Sequence, residues 1–167
     1  MRHLKTQGIN KESAVALAKA FYGIGSSALR AKPSAERDVN NGYVEHVIAG
    51  AACVAFSCEV SMKAMLFGGS SWDEAEGRHD LRMLFDMMDD EDRAFVRNAT
   101  LLKLAGGVSD VSDAESFERA LSESSDAFIQ LRYWYELPGP GKGKSAKVAF
   151  LDALGSSFIT LLETHFK

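Results

Sequence analysis

The feature that most constrains this chain is its longest apolar region, Val44 to Phe67, which is interrupted by Glu45, His46, Glu59 and Lys63. A helix that is apolar nearly all round belongs at the centre of a bundle. The four interruptions argue against a membrane span. An ionised side chain among apolar neighbours needs a partner or a function, because leaving it unpaired is costly. Glu59 and Lys63 stand four residues apart, so they share one helix face in the favourable Glu-to-Lys order.

The pattern around this run is helical almost throughout. A first helix is predicted from Lys11 to about Ala31, with Val15, Leu17, Ala18, Phe21, Tyr22 and Leu29 as its apolar face and a bend near Gly23 and Gly25. The second runs from Tyr43 to Phe67 and ends at Gly68-Gly69-Ser70-Ser71. A third is predicted from about Arg78 to Met88, carrying Leu81, Leu84, Phe85 and Met88. Asp89-Asp90-Glu91-Asp92 then puts negative charge where a fourth helix begins, favourable with its dipole, and Gly106-Gly107 stops that helix. Ser112-Asp113-Ala114-Glu115 opens a fifth, which Pro138 ends, and a last is predicted from about Ser145 to Phe166. No segment alternates as a strand would. The expectation is an all-α, up-and-down helical bundle of about five to six helices, in one domain over residues 1–167.

A formal net charge of −4 removes the argument from bulk attraction to phosphate, although a local basic patch remains open. Cys53 and Cys58, the two cysteines, lie five apart in the apolar run, at no metal-ligand spacing. They read as small core residues and suit a reducing compartment. The first residues lack an apolar signal core, so the expected location is cytoplasmic.

Three polar groups carry the candidate chemistry. Arg132 and Glu136, also four apart, could meet Glu59 and Lys63 in a crossed quartet. Such a quartet is either a lock that sets helix register or a pocket in which Arg132 donates to a phosphate or a base. Asp80 is placed to cap the third helix, and His79 to orient against a carboxylate. Of His3, His46, His79 and His165, His79 is the best general acid–base candidate.

Other motifs carry less. Glu76-Gly77-Arg78-His79 has the Glu-x-x-His form of di-iron bundles but no second copy, so no metal site and no cofactor are expected. Gly139-Pro140-Gly141-Lys142-Gly143-Lys144-Ser145 departs from a phosphate loop at Pro138 and follows a helix where that motif requires a strand. It reads as a basic linker whose Ser145 caps the next helix; Lys142, Lys144 and Lys147 could still touch a phosphate there. Tyr133, Trp134 and Tyr135 are either core or interface residues or a platform for a base.

Three pieces, in this order, resemble the HEPN superfamily of small prokaryotic helical domains. They are Glu59-x-x-x-Lys63-Ala64-x-Leu66, then Gly77-Arg78-His79-Asp80-Leu81-Arg82-Met83-Leu84-Phe85, then Phe128-Ile129-Gln130-Leu131-Arg132-Tyr133-Trp134-Tyr135-Glu136. They are similar to a branch with a Gly-His-Asp-Leu helix start and a later Trp-Arg-Tyr-x-Tyr-Glu helix. Here Arg78 stands between the glycine and histidine, and Leu131 replaces the usual tryptophan. The resemblance covers about residues 43 to 136. It implies a helical bundle, usually a homodimer, in phage-defence, toxin–antitoxin or RNA-processing settings.

Many members of that superfamily are metal-independent ribonucleases with an arginine, four to six residues, then a histidine. No arginine of this chain has a histidine at that distance: Arg97-Asn98 begins like the motif, but Leu102, Lys103 and Leu104 occupy the histidine positions. The expectation is therefore a non-catalytic HEPN-like module that binds RNA, a nucleotide or a partner protein, with no membrane partner. Its polar cluster would be Glu59, Lys63, His79, Asp80, Arg132 and Glu136. One alternative is a divergent metal-independent endoribonuclease, with His79 as base and Arg132 stabilising the phosphorane. Another is a structural interaction protein whose cluster only sets register.

Overall fold

A computed structural model of the chain describes residues 10–31, 43–107, 109–132 and 147–166. Among the described residues eight helices run in the order α1 (Lys11–Arg30), α2 (Tyr43–Leu66), α3 (Trp72–Glu76), α4 (Leu81–Asp86), α5 (Asp90–Leu104), α6 (Ala114–Glu123), α7 (Ala127–Arg132) and α8 (Val148–His165). No strand occurs among the described residues. The protein is an all-α bundle, as its periodicity requires.

Helix α2 is the hub, packed by α1, α3, α4, α7 and α8. By length and composition alone Val44–Leu66 could cross a membrane. In this fold its middle turns are core: Ala51, Val54, Ala55, Cys58 and Met62 are fully buried. Helix α1 lies antiparallel to α2, because Gly25 meets Gly50 and Val54 while, two turns earlier, Ala18 accepts a hydrogen bond from Ser57 Oγ at 2.7 Å. Helix α8 runs alongside α2 in the same direction, with Gly155 against Val54 and Leu162 grouped with Val60 and Ala64. Helix α5 opposes α8: Thr100 Oγ1 donates to Ser157 Oγ at 3.1 Å, and His165 meets Asp92. Phe85, Phe117, Phe150 and Phe158, from α4, α6 and α8, join into one aromatic core. Each such ring contributes on the order of 1.5–3 kcal/mol through burial.

Local chemistry explains where the helices begin. Asn10 accepts from the Ser13 N–H at 2.8 Å to start α1, and Asp80 does the same for Met83 at the start of α4. Asp113 and Ser116 form a reciprocal capping box on α6. Acidic Asp90, Glu91 and Asp92 occupy the first turn of α5, as its dipole favours.

Several expected boundaries move. The expected third helix begins at Leu81 and not Arg78, since the Asp80 cap sets its start, and a separate short α3 precedes it. The expected fifth helix divides into α6 and α7, with Ser124 to Asp126 forming turns between them. The Leu81 N–H donates to the Ser125 carbonyl at 3.0 Å, so this break also seats the start of α4. No break falls at Gly23 or Gly25, where α1 is continuous. An added Cβ at Gly25 would lie 2.6 Å from the Gly50 carbonyl oxygen, so that glycine serves close helix approach. The last helix begins at Val148, and Ser145 lies outside the described residues.

Candidate functional site

Glu59 sits on α2 among Cys58, Val60, Ser61 and Met62, all buried, and is itself only 2% exposed. Its Oε1 accepts from Lys63 Nζ at 3.0 Å and from His79 at 2.9 Å. Lys63, one turn along the same helix, also donates to the Glu76 carbonyl at 3.1 Å. That carbonyl belongs to the last residue of α3, where backbone acceptors lack helical partners and a cation is favourable. Glu59 Oε2 is buried with no hydrogen-bond partner among the described residues.

The three side chains therefore tie α2 to the α3–α4 turn. His79 precedes the capping Asp80, so two neighbouring residues perform separate anchoring tasks: one on α2, one on its own helix. Since a carboxylate only accepts, His79 Nδ1–H is the donor in this bond, which leaves Nε2 as the ring nitrogen turned away from Glu59. The His79 side chain is 52% exposed. The arrangement thus offers solvent an oriented imidazole backed by a buried carboxylate.

The structure unites Glu59, Lys63, His79 and Asp80 around this turn. Among the described residues Glu59 takes Lys63 and His79 as partners, so the carboxylate expected to meet Arg132 is committed elsewhere. Arg132 lies exposed at the end of α7, its guanidinium 6.0 Å from the Phe128 ring centre. Glu136, the aromatic block Tyr133 to Tyr135, the Gly139–Ser145 segment and His3 lie outside the described residues. His46 lines a shallow groove with Ile24, and His165 Nε2 lies 3.0 Å from Asp92. Among the described residues no three His, Cys, Asp or Glu side chains are grouped to hold a metal.

Neither thiol is activated. Burial pushes the Cys58 thiol far above its ordinary value, helped by the negative charge of Asp152, and burial also raises Cys53. Arg97, where the ribonuclease-like motif fails, has a structural task instead. It and Arg82 both reach Glu118 at 2.6 Å, joining α4, α5 and α6. The Asp86 hydrogen bond, with the charges of Asp86 and Glu118, holds Arg82 more firmly protonated than usual.

A second polar site has no signal in the sequence. Arg30 at the end of α1, Lys103 at the end of α5 and Asp152 in the first turns of α8 line one cavity. These residues are far apart in the chain and belong to no spacing motif. Comparison with family models, curated proteins and solved structures finds no match.

Proposed function

We propose that this chain is a HEPN-like helical module that binds RNA without cleaving it, as a cytoplasmic homodimer in a defence or toxin–antitoxin-type setting. The observation that carries the non-catalytic half is the anchoring of Glu59 Oε1 by both Lys63 and His79. The Glu59 carboxylate is buried and the Lys63 ammonium divides between that carboxylate and the Glu76 carbonyl, so both are spent on holding α3 and α4 to α2. The three-piece resemblance supports the binding half, together with exposed Arg132, whose guanidinium can donate to phosphate.

Fluorescence anisotropy with a labelled single-stranded RNA pool tests the binding half. Saturable binding that weakens as salt rises, and weakens further in Arg132→Ala, is the expected result. Absence of binding at low salt would redirect the reading to a protein partner.

A second reading rests on the outward Nε2 of His79. Held by Glu59, that nitrogen could take the proton of a ribose 2′-hydroxyl, with Arg132 neutralising the phosphorane. Under this reading His79→Gln abolishes RNA cleavage in EDTA, whereas the binding reading predicts no cleavage to abolish.

A further inference from the structure

The cavity between α1, α5 and α8 has a volume of about 470 Å³ and is lined by Tyr22, Arg30, Lys103, Ser109, Asp152 and Ser156 among others. That volume falls within the ~300–1,000 Å³ range of small-molecule sites. Its polar groups are not satisfied by one another. Lys103 is exposed and has no ion-pair partner among the described residues. Arg30 approaches Asp152 Oδ2 only to 3.8 Å, with its own side chain 69% exposed. Asp152 Oδ1 is buried and accepts no hydrogen bond among the described residues. With Oδ1 sealed from solvent, the carboxylate presents Oδ2 to the cavity, where the long approach of Arg30 leaves it able to accept a hydrogen bond.

We propose that this cavity is a binding site for a small polyhydroxylated molecule with one oxyanionic end, either a phosphomonoester or a carboxylate. Arg30 and Lys103 receive the oxyanion through charge-assisted hydrogen bonds, and a ligand hydroxyl donates to Asp152 Oδ2, the carboxylate oxygen nearer Arg30. Ser109 and Ser156 add hydroxyls that can either donate or accept. Summed over Arg30, Lys103 and Asp152, the site carries one net positive charge, which suits an anion whose remaining groups are neutral hydroxyls. This site goes beyond the RNA-binding reading and does not depend on it.

Calorimetric titration of the whole chain with ribose 5-phosphate, gluconate and inorganic phosphate tests the assignment. Arg30→Ala, Lys103→Ala and Asp152→Asn are run beside the wild type, with amide spectra to confirm folding. Saturable binding of ribose 5-phosphate or gluconate is expected, and the stronger of the two identifies the oxyanion. Either cation substitution weakens that ligand by roughly tenfold or more. Asp152→Asn weakens it too, yet does not weaken inorganic phosphate. The proposal is overturned if neither sugar acid binds below about 10 mM, if both cation variants bind as the wild type does, or if inorganic phosphate alone binds as tightly. RNA affinity measured on the same variants separates a failure here from a failure of the RNA-binding reading.

Discussion

Replacing Lys63 by methionine keeps the length of the side chain and removes the cation from a nearly fully buried carboxylate. The Glu59 side chain is 3% exposed and Lys63 16%, with 3.0 Å between Nζ and Oε1. At an effective dielectric of about 20, their attraction is roughly 5.5 kcal/mol before desolvation is counted. In Lys63→Met the desolvation of Glu59 is retained while most of that attraction is lost. His79 remains as a donor, so the expected destabilisation is about 3–4 kcal/mol, within the range for broken buried pairs. The double variant Glu59→Leu/Lys63→Met removes the uncompensated charge as well and should recover most of the loss. With Glu59→Leu alone as the remaining corner of the cycle, the coupling energy should be at least about 2 kcal/mol. Urea unfolding followed by circular dichroism gives these values, provided the denaturant slope is unchanged. If Lys63→Met costs under about 1 kcal/mol, Glu59 does not depend on its lysine and the anchoring role argued here is wrong.

Two glycines on α1 should respond in opposite directions. Gly25→Ala drives a Cβ against the Gly50 carbonyl oxygen and the Val54 backbone nitrogen, so despite better helix propensity it should lower stability by about 1–3 kcal/mol. Gly23→Ala meets nothing within 4 Å and should raise stability by about 0.5–1 kcal/mol, both read from thermal midpoints. Cys58, buried with its thiol held neutral, should resist an aromatic disulfide reagent in the native protein, while half-buried Cys53 reacts slowly; urea should expose both. The Ser116 hydroxyl and N–H hold the Asp113 carboxyl below its ordinary range, so the cap is fully effective above the unfolded value and is lost as pH falls through the folded one. Below about pH 4 the urea midpoint of the wild type should therefore fall more steeply than that of Asp113→Asn.

The helical class was legible because apolar spacing carries it, and α2 announced itself as central by being apolar on every side. The Glu59–Lys63 pair and the Asp80 cap were also legible, since each depends on residues within four positions. What lay beyond local reach was which distant residue completes each group. Glu59 finds His79, twenty residues on, because α3 folds back beside α2, and no spacing rule states that. Gly25 read as a weak point in a helix because its partner, Gly50, is supplied by another helix. The division of α6 from α7 had only Ser124-Ser125-Asp126 as a signal, polar residues that an exposed helix face also tolerates. The cavity formed by Arg30, Lys103 and Asp152 draws on three helices and left no mark on any one of them.

The central claim is that the oriented His79 anchors the fold and does not cleave RNA. The most direct measurement is incubation of the purified chain with an end-labelled RNA pool in EDTA, read on paired native and denaturing gels, with His79→Gln alongside. The account predicts shifted RNA on the native gel and intact RNA on the denaturing gel for both proteins. Cleavage by the wild type that disappears in a folded His79→Gln would contradict it and establish a metal-independent ribonuclease.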